Sequence, residues 1–133
     1  AAGADISALS ELLASEGESC PARLAWFDLA SGEQHVLADD LFHPHSLAVA
    51  DFTGNGALDV FVGEMGLGTW QKPRLIIYVN RGDARFEPVI ISEGIATHNA
   101  AVGDVNGNGR LNIVGKPYKP GQQVDVWWNT WGS

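Results

Sequence analysis

From Arg23 to Asn129 the chain alternates short apolar runs with polar, glycine-bearing breaks, and the runs are rich in β-branched and aromatic residues. That pattern predicts strands joined by tight turns. Arg23–Leu29 and Gln34–Ala38 form one predicted pair around a Ser31-Gly32 turn, and Arg74–Asn80 and Phe86–Ile91 form a second around Arg81-Gly82-Asp83. Gln123–Asn129 repeats the first strand of these pairs once more. Between the pairs, Ser46–Ala50 and Leu58–Val62 flank a polar loop, as strands flank a hairpin turn. Only Ile6, Leu9, Leu12 and Leu13 follow a helical spacing, which predicts a short helix or ordered tail over 1–21, with Asp5 as its N-cap and Gly17 as its stop.

The polar loop has a chemistry of its own. Asp51, Thr53, Asn55 and Asp59 stand at positions 1, 3, 5 and 9, with Gly56 at position 6. Calcium takes six to eight oxygen ligands, and a short loop supplies them when alternate side chains point inward and a glycine permits the sharp turn. The carbonyl of Ala57 would fill position 7. An EF-hand would close on a glutamate at position 12, where this chain has Val62, so a cation loop at a β-hairpin is expected instead. The same spacing recurs in Asp104, Asn106, Asn108, Arg110 and Asn112, and both Asp51 to Asp104 and His45 to His98 span 53 residues. A fixed period of this size marks stacked or radially arranged units. Strand, strand, loop hairpin and restart give four antiparallel strands per repeat, the arithmetic of a β-propeller blade, and the chain holds about two and a half of them.

Composition narrows the function classes. Sixteen acidic against eight basic residues give a net charge of −8, which argues against a nucleic-acid partner and suits cation binding or solubility. No run approaches the ~18 apolar residues of a membrane span. One domain over 22–133 is expected from 133 residues. The single Cys20 reads as an inert thiol without an intramolecular disulfide.

The stretches AVADFTGNGALDVFVG and AVGDVNGNGRLNIVG resemble FG-GAP repeats, also called VCBS repeats, over roughly residues 22 to 129. That resemblance implies calcium-carrying propeller blades in an extracellular or periplasmic protein. Thr53 stands where the family usually has Asp or Asn, and Asn112 where it usually has Asp. With two carboxylates in the first loop and one in the second, Ca2+ is expected first at 51–59 and more weakly at 104–112. In both loops the alternative is that these side chains cap their own turns. A partial propeller would be a piece of a larger one or would be completed by a homo-oligomer, because open edges invite pairing.

The remaining candidates are titratable. His45 and His98 precede equivalent strands, so each serves either a structural hydrogen bond within its own blade or a shared mouth where imidazoles take protons. The repeat favours the structural role. Glu64 and Lys116 follow the outgoing strands and, with Tyr118, would complete a polar cluster suited to proton abstraction from a uronic acid or keto-sugar. Trp70 and Trp131 are candidates for stacking on a sugar ring. Two functions follow from these residues: a calcium-stabilised all-β module presenting loops to carbohydrate or protein, or the propeller part of a carbohydrate-active lyase or dehydratase.

Overall fold

A computed structural model describes residues 7–11 (backbone), 21–66, 72–118 and 121–132. Among them the chain is all β: β1 (Ser7–Glu11), β2 (Ala22–Phe27), β3 (Gln34–Leu41), β4 (Pro44–Ala50), β5 (Asp59–Glu64), β6 (Arg74–Asn80), β7 (Phe86–Glu93), β8 (Asn99–Gly103), β9 (Asn112–Lys116) and β10 (Asp125–Trp127). They form three antiparallel sheets in the orders β1-β2-β3, β4-β5-β6-β7 and β10-β9-β8, and none of the three closes on itself.

The central sheet explains the arrangement. β5 is buried throughout and β6 nearly so, because alternate residues serve opposite faces and both faces are covered. Val60, Val62, Ile76 and Tyr78 pack with Ala22, Leu24 and Leu41 of the first sheet. Phe61, Leu75, Ile77 and Val79 pack with Phe52 and with Ile113 of the third. A strand buried on both faces reads as a continuous apolar run, which is how VFV and LIIYV stand in the sequence.

Register shows what the repeat means. Val60 pairs with Tyr78, Ile113 with Trp127, and Ser7 with Phe27, so β5, β9 and β1 are equivalent, as are β6, β10 and β2. The first sheet therefore corresponds to the last three strands of the complete four-stranded sheet, and the third sheet to its first three.

Of the short helix or ordered tail expected over 1–21, residues 7–11 do not adopt the helix. They form β1, the antiparallel partner of β2. A lone helix this short gains too little per nucleated turn, whereas the edge of β2 offers a row of unpaired backbone groups. Residues 1–6 and 12–20, Cys20 included, lie outside the described residues.

At one end of the central sheet the Glu64 carboxylate is 1% exposed and fully bonded. It accepts from the backbone N–H of Phe42 (2.9 Å) and Arg74 (2.8 Å), and from Nε and Nη2 of Arg74 (3.0 and 2.7 Å). The same guanidinium reaches Asp40 of β3, at its Oδ2 (3.2 Å) and carbonyl (2.9 Å). These bonds hold the Arg74 cation well above its ordinary pKa, against the opposing effect of burial. A buried charge is tolerated when paired and hydrogen-bonded in this way, and the pair locks β3, β5 and β6 together.

Candidate functional site

Two groups of predicted residues fall at opposite ends of the β4–β5 and β8–β9 hairpins. The polar loops close the hairpins; the histidines open them, roughly 20 Å away at ~3.3 Å per strand residue.

In the first loop Gly54 and Gly56 have φ of +78° and +86°, and Gly107 and Gly109 repeat this at +72° and +82° in the second. Glycine adopts this left-handed backbone freely, so the N–H groups can turn inward. Asp51 Oδ1 accepts from the N–H of Gly54 (2.8 Å) and Asn55 (3.2 Å), and Oδ2 from Gly56 (2.8 Å). The Thr53 hydroxyl lies 3.4 Å from Asp51 Oδ1. Asn55 Oδ1 accepts from the Ala57 N–H (2.9 Å), while its amide donates to the Asn80 carbonyl (2.9 Å) and ties the loop to β6.

Asp59 is fully buried. Its Oδ2 accepts from the N–H of Phe52 (2.9 Å) and Thr53 (3.3 Å), and its Oδ1 from that of Asn80 (2.9 Å). Burial raises its pKa, the three N–H groups lower it, and the Asp51 carboxylate adds a smaller upward push. A cation between these two carboxylates would relieve both effects. The second loop keeps part of the wiring: Asp104 accepts from Asn108 (3.1 Å) and Gly109 (2.7 Å), Asn108 Oδ1 from Arg110 (3.0 Å), and Asn112 Oδ1 from Val105 (3.0 Å). Asn106 is exposed.

Among the described residues no three His, Cys, Asp or Glu side chains gather as a metal cage. A cation here would need neutral oxygens as well, and the donor set fits a hard one. Asp51, Asp59 and Asn55 each retain oxygen lone pairs beyond their N–H bonds, and Thr53 and the Ala57 carbonyl complete an all-oxygen set. Turn capping and cation binding are therefore compatible in the same side chains.

At the other end the histidines meet. The rings of His45 and His98 stack with centroids 4.0 Å apart and planes 24° from parallel, and Tyr118 lies 4.9 Å beyond His98. β4 and β8 are in contact, and His45 of β4 meets His98, which immediately precedes β8. His45 Nδ1 lies 2.7 Å from the His98 carbonyl, which also accepts from the Ser46 hydroxyl (3.1 Å). A carbonyl only accepts, so Nδ1 of His45 carries the proton and Nε2 is left as its acceptor. The hydrogen bond expected within each repeat is thus replaced by one between sheets.

His98 is held below the ordinary imidazole pKa, first by burial, then by the charges of His45 and Lys116. Its Nδ1 is shut off from solvent without a partner, so protonation there would strand an N–H. Lys116 is exposed, its carbonyl accepts the His98 N–H (2.8 Å), and it pairs with Asn99 as Gly63 pairs with Ser46. It is therefore the counterpart of Gly63 rather than of Glu64, because the second outgoing strand is one residue shorter. Glu64 does not join the cluster; its carboxylate is consumed by Arg74 and Phe42. Trp131 packs against the core that contains Phe52 and Ile113 rather than standing free. Trp70 lies outside the described residues.

Comparison with family models, curated proteins and solved structures gave no match. The reading of the site rests on its own chemistry.

Proposed function

We propose that this chain is a calcium-stabilised β-propeller segment that binds carbohydrate or protein through the end carrying His45, His98 and Tyr118. On this reading the three sheets are blades of an FG-GAP/VCBS-like propeller that is larger or is completed by further copies, in an extracellular or periplasmic setting. The observation that carries it is the ring column. His45 and His98 meet in a ring stack beside Tyr118, which is 49% exposed, while Glu64 at the end of β5 is locked in an ion pair. Exposed aromatic faces suit the flat face of a sugar ring. An oligosaccharide array, followed by calorimetry on any hit, tests it: binding that Tyr118→Ala removes supports this reading, and binding that survives it places the contact elsewhere.

One observation favours a second reading, a lyase or dehydratase. Burial lowers the pKa of His98, which favours the neutral imidazole a general base needs, and its ring centroid lies 4.9 Å from that of Tyr118. New unsaturated-product absorbance with acidic polysaccharides, abolished by His98→Ala, would establish catalysis.

A further inference from the structure

We propose that the ring column selects saccharides carrying a carboxylate, with the Tyr118 ring beneath the sugar face and the acid group on Lys116 and the stacked imidazoles. This rests on the carbohydrate reading above and narrows it to an anionic class.

The local chemistry is cationic within an acidic chain. Net charge is −8, yet the column gathers two imidazoles and an ammonium, contributed by β4, the segment before β8, and the end of β9. At a physiological Debye length of about 8 Å, distant carboxylates are screened and the near groups dominate. The charges of His45 and Lys116 both push the proton of His98 off, after the effect of burial. The carboxylate that ends β5, Glu64, is paired with Arg74. A region where cations repel one another is a region where an anion is welcome.

Geometry sets where the anion goes. His45 is exposed and its Nδ1 is pinned to the His98 carbonyl, so Nε2 is the nitrogen left to meet a ligand. Lys116 is exposed on the neighbouring sheet and brings a point charge that needs no orientation. Tyr118 and the rings behind it supply the flat surface, which a short acidic peptide would not need and a pyranose does.

Proton linkage follows. An anion stabilises the imidazolium form of His98, so binding takes up a proton and affinity rises as pH falls below the ordinary imidazole value of 6.5. A neutral sugar has no such reason to depend on pH in this range.

The test is titration calorimetry of the full chain in calcium-containing buffer, with oligogalacturonate, oligoglucuronate and alginate fragments, the methyl ester of the first, and neutral gluco- and xylo-oligosaccharides. Expected are binding of at least one acid, weaker binding of its ester, and tighter binding at pH 5.5 than at pH 7.5. Lys116→Gln, a change at an exposed side chain, should weaken the acid about five-fold, as loss of one screened ion pair does, and leave any neutral binding unchanged. His98→Gln should flatten the pH dependence. If neutral sugars or the ester bind as well as the acid, or acid binding ignores both Lys116→Gln and pH, the anionic selection is wrong while the carbohydrate reading stands. Binding of none of the panel overturns both.

Discussion

The loops Asp51–Asp59 and Asp104–Asn112 share a template and differ in their surroundings. Phe52 follows the first aspartate and is 3% exposed, packed on Phe61 at 6.4 Å between the second and third sheets; its counterpart Val105 is 51% exposed. Position 9 differs in kind. Asp59 offers only acceptors and receives three backbone N–H groups, whereas Asn112 accepts one, from Val105, and leaves a buried amide nitrogen with no partner. Where N–H groups converge, a carboxylate is matched to its site and an amide is half mismatched. Neighbours add to this: Asn129, at the end of the third sheet, donates to the Phe52 carbonyl (2.8 Å) and seals the first loop. The same local code is thus stitched into the core in one place and left at the surface in the other.

Breaking the stitch should show the contrast most strongly. Asp59→Ala would orphan three backbone donors at ~1–3 kcal/mol each, a loss of about 3–9 kcal/mol out of the ~5–15 that holds a domain. Asn112→Ala removes one hydrogen bond together with an unpartnered amide and is expected to cost about 1 kcal/mol or less. Urea midpoints measure both, and equal losses would erase the distinction. Removing the anchors follows in size: Phe52→Ala should cost about 3–5 kcal/mol as a core truncation, while Val105→Ala should stay within about 0.5 kcal/mol as a surface change.

Asn112→Asp sharpens the comparison in the other direction. It supplies the missing carboxylate, so in calcium it should stabilise by about 1 kcal/mol through tighter cation binding. In EDTA it should give no gain, since no further N–H group is seen at that position. An equal gain in both media would show that the charge acts without a cation.

The smallest effect is one of pH, at the far end of the hairpins. The folded-state pKa of His98 lies below its ordinary 6.5, so the unfolded chain binds the proton more readily. Stability from this group is fully present above pH ~6.5 and is lost as pH falls through the folded value. Thermal scans should show wild type declining more steeply than His98→Gln below that pH; parallel declines would remove His98 as the cause.

The repeat made much of this visible in the sequence. Strands β2 to β10 and both loops follow from alternation, glycine placement and the fixed offset between His45 and His98. What escaped was whatever depends on partners far along the chain. The helical spacing of Ile6, Leu9 and Leu12 spans only a short window, and within it residues 7–11 pair with the edge of β2 instead. Glu64 reads as a loop carboxylate until Arg74 and Phe42 close on it; an acidic residue ending a wholly apolar strand, ten residues before an arginine starting the next, was the available signal. The one-residue shortening of the second outgoing strand shifted Lys116 against Glu64. The dual task of Asp59, stitch as well as candidate ligand, required knowing that the N–H groups of Phe52, Thr53 and Asn80 point at it.

Whether the first loop holds calcium while it holds the fold together is decided by thermal unfolding of the wild type, Asp51→Asn and Asp104→Asn in EDTA and in 10 mM calcium. With a Kd of about 10⁻⁴–10⁻³ M, mass action gives roughly 1.4–2.7 kcal/mol, or about 4–10 °C for a domain of this size. The expected result is that shift in the wild type, most of it lost in Asp51→Asn and most of it kept in Asp104→Asn. Identical melting temperatures of the wild type in EDTA and in calcium would contradict it, and would leave Asp51 and Asp59 as turn caps alone.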